Sequence, residues 1–331
     1  MTTNELSRAR LLRAVPRALA GAALLLAGLS AHAGAWPEKP VRLVVSYPPG
    51  GTVDAVARII APKLSAKLGQ PVVIDNRGGA GGAIGGDLVA KSAPDGYTVM
   101  LDASNHAQNP ALRKMPFDTL RDLAPVSLLV KVPNVLVVNP SAPMKSVADL
   151  IAQAKAKPGG INYASSGNGS AQHLAGELFA SMAGVQITHV AYKGGGPALT
   201  DVMSGHVPVF FASLASSLPF IQGGKLRALA VTGKMHSPAL PQLPTVAEAG
   251  LPGYEVYEWN AVFVPAGTPA PVVERLSKEF AATLKDPEVR TRLEALGAEV
   301  IGSSPAELDS FRRAEIAKWT RLAKDNKIQV D

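Results

Sequence analysis

The sequence predicts an α/β protein built from two doubly wound domains. Short apolar runs rich in β-branched residues alternate with segments that carry an apolar stripe of helical period. Glycine-rich turns join the two kinds of segment, and the alternation starts again after the proline-punctuated stretch 107–125. Strand–helix–strand repetition of this kind is typical of parallel sheets covered by helices on both faces.

In the first unit, the predicted elements follow one another with short turns between them. The predicted strands are 41–46, 71–74 and 97–101, and the predicted helices are 52–69 and 83–91. Thr52 is the candidate N-cap of the first helix, and Gly69 is suited to end it. The third strand leaves Ser104, Asn105 and His106 at its carboxyl end.

The second unit and the tail continue the pattern. The predicted strands are 135–138, 161–164, 188–192, 207–212, 227–231 and 254–264, and the predicted helices are 147–156, one after Ser170, 197–203, 269–284, 287–296 and 305–325. Because the last three helices need a sheet to cover, we expect them to return to the first unit. The expected domains are therefore 36–130 with 250–331, and 131–249.

Composition narrows the class of protein. The 331 residues are 47% hydrophobic and 18% charged, which excludes a largely disordered chain. At roughly 100–200 residues per domain, the length suggests two domains. The absence of cysteine excludes disulfides, a thiol nucleophile and Cys-ligated metals.

Residues 1–33 have the layout of a secretory signal peptide. Four arginines precede an unbroken apolar run from Ala18 to Leu29, and Ala31-His32-Ala33 fits a small-residue cleavage site. A membrane anchor is the alternative, but this run of twelve is shorter than the roughly 20 residues that span a bilayer. We therefore expect cleavage near Ala33 and a mature periplasmic protein that is not embedded in the membrane.

The charge of the mature chain argues against nucleic acid as a partner. Removing residues 1–33 deletes four Arg and one Glu, which lowers the formal net charge from +7 to +4. The remaining Lys and Arg residues form no run of the density that nucleic-acid binding requires. The modest excess of positive charge favours a mild attraction of anions.

Two loops, Tyr47–Thr52 and Ser165–Ser170, predict an anion site. Each follows a strand and opens a helix, where backbone N–H groups lack partners and the helix dipole is positive. Glycine allows a ligand to approach this backbone closely. Residues 194–196 form a third glycine-rich segment before a predicted helix. Such loops lie at the carboxyl edge of a doubly wound sheet, so they predict a cleft for a carboxylate, sulfate or phosphate. The alternative interpretation is that they are tight turns only.

Motifs of the common enzyme classes are missing. The glycine-rich segments lack the final Gly of the dinucleotide fingerprint, and neither a phosphate loop nor a nucleophile elbow occurs. The histidines show no metal-ligand spacing, so no metal and no cofactor are predicted. His106 stays a candidate because it follows a strand end, and Lys193 could pair with an anion. His173 is expected on the polar side of its helix, solvated or paired with Glu177.

Nine motifs in register carry a family resemblance. They are WPEKP at 36–40, YPPGGTVD at 47–54, DNRGGAGG at 75–82, PDGY at 94–97, YASSGNGS at 163–170, YKG at 192–194 with PA at 197–198, GKLRALA at 224–230, LPT at 243–245 and PAGTP at 265–269. With them, the mature chain resembles the Bug or TctC-like solute receptors of tripartite tricarboxylate transporters.

The resemblance implies a two-domain periplasmic binding protein, type II-like, whose domains close on a ligand in the cleft between them. Its expected partners are a small organic acid and the membrane permease subunits, and we expect a monomer. The two loops would hold a ligand carboxylate through backbone amides and bridging waters. One departure is Pro208, which stands where members often carry Asp, so no relative's ligand is transferred to this chain.

The candidate ligand-binding residues come from both units, and none is predicted to be catalytic. They are Tyr47, Pro49, Gly50, Gly51, Thr52, Asp54, Ser104, Asn105, His106, Ser165, Ser166, Gly167, Asn168, Gly169, Ser170, Lys193 and Gly194. Two alternatives to a transport receptor stay open. One is a secreted enzyme with a cleft active site built on His106, Asp54 or Lys193, and the other is a sensor subunit that presents its ligand to a signalling partner.

The signal-peptide interpretation predicts the start of the mature chain. In a host with a periplasm, the protein should begin near Gly34 or Ala35 and fractionate with soluble periplasmic proteins. N-terminal mass analysis checks this, and recovery of residues 1–33 on membrane-bound protein would contradict it.

Overall fold

Ten strands are distributed along the part of the chain that the computed structural model describes, residues 36–328. Residues from Lys39 onward belong to one compact unit. The predicted signal peptide lies outside the described residues. The strands are β1 Val41–Val45, β2 Val72–Asn76, β3 Thr98–Ala103, β4 Leu123–Val138, β5 Asn162–Ser165, β6 Thr188–Ala191, β7 Val209–Ser213, β8 Arg227–Val231, β9 Tyr257–Pro265 and β10 Glu299–Val300.

Ten α-helices of residues 36–328 connect or cover these strands. They are α1 Thr52–Leu68, α2 Ala83–Ala90, α3 Asn105–Leu112, α4 Val147–Ala156, α5 Ala171–Ala183, α6 Gly195–Met203, α7 Leu214–Gln222, α8 Ala270–Leu284, α9 Pro287–Ala295 and α10 Pro305–Asp325. A short 3₁₀ turn, Ala80–Gly82, precedes α2. In the described part of the chain, no helix combines the length and the apolar character needed to cross a membrane.

The strands form one hydrogen-bonded sheet in the order β2-β1-β3-β9-β4-β7-β5-β6, with β8 and β10 also paired to β4. The trios β2-β1-β3 and β7-β5-β6 are parallel, as βαβ connections require. β9 is antiparallel to both β3 and β4, and β4 is antiparallel to β7 and β8. The predicted α/β class is confirmed, with antiparallel strands between the two parallel trios.

The stretch 107–125 differs from the expectation of an irregular connection. The 16-residue strand β4 begins inside it, and α3 occupies its first part despite Pro110. Pro125 is tolerated in β4 because the pairing with β9 shifts register between Pro125 and Ser127, where the ladder is already interrupted. α7, which contains Pro219, was also not predicted.

The C-terminal helices cover the half of the sheet to which β9 belongs. α10 packs against α3 and β4, and α8 packs against α1 and β4. The aromatic side chains of the strand, Trp259 and Phe263, and of the helices, Phe280 and Trp319, are each at most 1% exposed. Their burial supplies the main driving force for docking the tail. The proposed domain boundaries themselves stay a prediction.

Close packing fixes α5 on β5. The Tyr163 ring is fully buried, and its hydroxyl donates to Glu177 Oε1 at 2.6 Å and lies 3.2 Å from the His173 carbonyl oxygen. A Cβ on Gly176 would lie 2.2 Å from Tyr163 Cε2. Only glycine allows the helix to lie this near to the ring, and this contact positions the N-terminus of α5.

Gly176→Ala tests this contact. The added methyl group would overlap a ring that is held on all sides, and overpacking of this kind costs about 1–3 kcal/mol of unfolding free energy. Gly196→Ala in α6 is the matched control, because nothing lies within 4 Å of its Cβ position. Urea unfolding should show a lower free energy of unfolding for Gly176→Ala and no decrease for Gly196→Ala. Equal stability of the two variants would contradict the packing argument.

Candidate functional site

A cavity of about 910 Å³ lies at the carboxyl ends of β1, β3, β5 and β7. It is the kind of position at which open α/β sheets bind ligands. Most of the sequence-predicted site residues line it, and they come from both halves of the sheet. They are Tyr47, Gly50, Gly51, Thr52, Ser104, Asn105, Ser166, Gly167, Asn168, Ser170 and Gly194.

Three helices begin at this cavity with unsatisfied backbone donors. In the described chain, the first two N–H groups of each helix have no hydrogen-bond partner, and the residues that carry them line the cavity: Thr52 and Val53 in α1, Ala171 and Gln172 in α5, Gly195 and Gly196 in α6. The N-caps of α1 and α6, Gly51 and Gly194, offer no side-chain oxygen. The expectation that Thr52 caps α1 is therefore wrong, because the helix begins at Thr52 itself. Three positive helix ends directed at one space favour an anion there.

Asp54 lies behind the first loop and holds it in shape. Its side chain is 3% exposed, and its Oδ2 accepts from the Gly50 N–H at 2.9 Å and from Arg58 Nε at 2.8 Å. Asn76 Nδ2 donates to Asp54 Oδ1 and to the Tyr47 carbonyl, both at 3.0 Å. The hydrogen bond from Arg58 is the main cause that lowers the pKa of Asp54, so the carboxylate remains charged. Asp54 is placed to position the loop, outside the cavity lining.

Two histidines, the buried His173 and the half-buried His189, shape the second loop in the same way. His173 Nδ1 accepts the Gly169 N–H at 3.0 Å, and His189 Nε2 lies 2.6 Å from Ser165 Oγ, which itself accepts the Gly167 N–H at 3.0 Å. The two imidazoles stack with centroids 3.8 Å apart. Burial lowers the pKa of His173 to about 3 and that of His189 to about 4.

The histidine pair is therefore neutral, as an accepting Nδ1 requires. Of the two alternatives expected for His173, solvation is wrong, because the residue is only 7% exposed, whereas the proximity to Glu177 is confirmed, because Nε2 lies 3.8 Å from Glu177 Oε1.

His106 lies beneath the cavity and outside its lining. Its ring stacks on Phe263 with centroids 3.8 Å apart, and its Nδ1 lies 3.2 Å from Asp102 Oδ2. Asp102 Oδ1 accepts from Ser46 Oγ at 2.5 Å. Burial is the main cause that lowers the pKa of His106, so the ring is neutral at pH 7.

The other predicted residues outside the lining fall into two groups. Ser165 and Gly169 are buried residues of the second loop, whereas Pro49 and Lys193 are exposed and are not among the lining residues. Together with Asp54 and His106, they are brought near the site without forming its wall.

One hydrogen bond joins the two sides of the cavity. Asn105 Nδ2, on α3, donates to the Gly169 carbonyl of the second loop at 3.0 Å. One turn further along α3, Asn109 Nδ2 donates to the Gly81 carbonyl at 2.9 Å. The Tyr47 hydroxyl donates to the same carbonyl at 3.3 Å.

Sequence reasoning missed several lining residues. Arg113 follows α3, Ser213 and Ser216 lie around the start of α7, and Glu258 lies on β9. Arg113, which has an extended backbone directly after α3, could have been found only if the end of α3 had been predicted. Glu258 gave no local signal, since only strand pairing brings it to the cavity.

The cavity wall carries one positive and one negative side chain among its lining residues, Arg113 and Glu258. Desolvation raises the pKa of Glu258 to about 7. Burial is also the main cause that raises the pKa of Tyr47, followed by the negative charges of Asp102 and Glu258 and opposed by Arg113. Below about pH 7 Glu258 is mostly neutral, so the wall has a positive balance there.

The family model described as the tripartite tricarboxylate transporter family receptor matches residues 56–328. The chain therefore belongs to this family. Protein BugT of Bordetella pertussis is 38% identical over 93% of this chain and 96% of its own length. The relationship predicted from the sequence motifs is confirmed.

Two solved relatives contain small acids. An R. palustris protein solved with adipate is 42% identical, with a TM-score of 0.79 over 89% of this chain and 99% of its own. MatC from Rhodopseudomonas palustris, solved with bound malate, is 32% identical, with a TM-score of 0.76 over 87% of this chain and 99% of its own.

Glu258→Gln tests the desolvated carboxyl. Between pH 4.5 and about 7 the folded protein keeps a proton that the unfolded chain has lost, so wild-type stability falls as pH rises through this window. The amide cannot ionise, so the advantage of the variant over wild type in unfolding free energy should increase by about 1–3 kcal/mol when the pH is raised from 5 to 8. Glu274→Gln, an exposed carboxyl on α8, is the control. Urea unfolding of both proteins at pH 5 and pH 8 checks this. The same difference between variant and wild type at the two pH values would contradict the prediction.

Proposed function

We propose that the protein is a periplasmic solute receptor that binds a small carboxylate-bearing molecule and delivers it to the permease of a tripartite tricarboxylate transporter. The observation that carries the proposal is the convergence of three helix N-termini, with unpaired N–H groups, on one cavity. Backbone donors of this kind bind a carboxylate without a charged side chain. The acids in the solved relatives are consistent with such a ligand.

We further propose that the predicted site residues act at two levels. Those in the lining contact the ligand or its bridging waters. Asp54, Ser165 and Gly169 hold the two loops, and His106 supports the floor from below. In this scheme 36–130 with 250–331 and 131–249 are the two domains that close on the ligand, and no residue is catalytic.

The enzyme alternative has less support from the geometry. Its three candidate residues do not meet in one place: His106 is buried beneath the floor, Asp54 is bound to Arg58 and Asn76, and Lys193 is exposed outside the lining. A nucleophile or base must reach the substrate, and none of the three faces the cavity. Recovery of the bound compound unchanged after incubation with purified protein distinguishes a receptor from an enzyme.

The sensor alternative uses the same cavity and differs only in the partner. A receptor would bind its permease subunits more tightly when loaded, whereas a sensor would bind a signalling protein. Co-purification of the ligand-loaded protein with the permease subunits supports transport.

Gly51→Val tests the anion site directly. The Cβ position of Gly51 has no neighbour within 4 Å and its φ is −87°, so valine fits the folded protein and projects into open space at the start of α1. We expect a loss of carboxylate affinity of tenfold or more, measured by calorimetric titration. Ser166→Ala should cost only about one neutral hydrogen bond, roughly 0.5–1.5 kcal/mol.

Gly51 is a better position for this test than Gly169. Gly169 has a φ of +72°, so a branched residue there would strain the loop as well as obstruct the site. Unfolding temperatures confirm that each variant is folded. Unchanged affinity of folded Gly51→Val would mean that the loop is only a turn.

A further inference from the structure

Glu258 places a carboxyl group in the wall of a cavity that favours anions. It lies on β9 opposite Val132 of β4, two residues before Asn260, which pairs with Ala103 at the end of β3. Glu258 is half-buried and lines the cavity, and the N-termini of α1, α5 and α6 border the same space. A charged carboxylate at this position would repel the anion that the helix ends attract.

Within residues 36–328, no cation neutralises Glu258. Its carboxyl forms no ion pair and no side-chain hydrogen bond in this part of the chain, and desolvation is the cause that raises its pKa to about 7. Arg113, the positive residue of the lining, is half-exposed and is not paired with it. Lys193 is exposed and is not among the lining residues.

The other charged groups on the elements around β9 are engaged elsewhere. Four of them have partners of their own: Asp102 of β3 lies against Ser46 and His106, Lys131 of β4 lies over the rings of Tyr257 and Phe311, Asp87 of α2 pairs with Lys91, and Glu315 of α10 pairs with Lys318. Burial raises the pKa of the Tyr47 hydroxyl above its usual range, so this lining group is neutral. The balance of charge around Glu258 therefore favours its protonated form whenever an anion occupies the cavity.

We propose that the cavity captures its anionic ligand together with one proton, which Glu258 takes up from solvent. This inference rests on the proposed function, because it concerns the same cavity. The proton binds a carboxylate oxygen of Glu258, and no bond of the ligand changes. Neutral Glu258 removes the repulsion and presents an O–H donor to the cavity. By linkage, the proton and the ligand raise each other's affinity by the same factor.

The direction of the pH dependence follows from the ligand-free state. Glu258 is mostly protonated below about pH 7 and mostly charged above it, so capture takes up little proton in acid and nearly one proton in base. The affinity for the anion should therefore fall as pH rises. His173 and His189 have pKa values of about 3 and about 4, and burial lowers that of His106, so these histidines stay neutral above pH 6.5.

Calorimetric titration between pH 6.5 and pH 8.5 tests the coupling. The probes are straight-chain mono- and dicarboxylates of two to eight carbons, malate and benzoate, whose carboxyl groups are ionised throughout this range. For each acid that binds, the wild-type affinity should fall about tenfold or more from the lower to the higher pH. Repeating the titration at pH 8 in Bis-Tris and in Tris, cationic buffers of different ionisation enthalpy, counts the protons. We expect an uptake of roughly half to one proton per ligand.

Glu258→Gln is the decisive variant. The amide has nearly the same shape and is neutral at every pH, so the affinity of the variant should not vary over this range and no proton should be taken up. Glu274→Gln, which removes an exposed carboxyl on α8, is the matched control and should keep the wild-type pH dependence. Thermal unfolding verifies that each variant is folded.

The possible contrary results are distinguishable. Wild-type affinity that stays constant over the range, or binding at pH 8 without proton uptake, would overturn the proton coupling and leave the carboxylate site intact. The same pH dependence in Glu258→Gln as in wild type would overturn the role of Glu258. If no acid of the series binds to wild type, the proposed function fails and this inference fails with it.

Discussion

Strand β4 is the constraint on which the rest of the structure depends, because it belongs to both halves of the sheet. Its first part pairs with β9, and its last five residues, Asn134–Val138, pair with β7. Glu258 lies opposite Val132, and Ser213 lies opposite Asn134. Lining residues that are far apart in sequence are therefore brought within two positions of one continuous strand. The floor of the cavity is built where the two halves are hydrogen-bonded, while the glycine-rich loops stand on either side of it.

The cavity favours an anion although its own lining carries very little formal charge. The unpaired N–H groups of three helices supply partial positive charge that is already oriented, so little reorganisation is needed when a ligand arrives. The side chains that fix these loops are themselves compensated: Asp54 pairs with Arg58, and the His173–His189 pair is neutral. The lining itself carries one positive and one negative side chain, Arg113 and Glu258, so the backbone N–H groups supply most of its preference for an anion.

Local patterns predicted most of the fold, and pairing over long distances accounts for what they missed. Helices α4 and α10 begin and end at the predicted residues, 147–156 and 305–325, and the structure shows that the side chains of Ser146 and Ser304 cap them. The strand β4 was predicted only from Val135 onward, although it begins at Leu123 and contains Pro125 and Pro133. Both prolines are accommodated by the partner strand β9, which no local pattern reveals. The same limit applies to the site: its loops were predicted from glycine and serine at helix starts, whereas Glu258 depends on the register of β9.

This difference explains why the motifs identify the family more readily than the ligand. A carboxylate held by backbone N–H groups requires glycine, small residues and helix starts at fixed places in the chain, and such requirements leave a strong mark on the sequence. The rest of the cavity lining consists of single side chains from separate elements, such as Arg113 after α3, Ser213 on β7 and Glu258 on β9. Each can change alone without disturbing the loops, because it contributes through its side chain and not through the shape of the backbone. Residues of this second kind leave no motif, so only the folded structure shows that these positions lie in the same cavity.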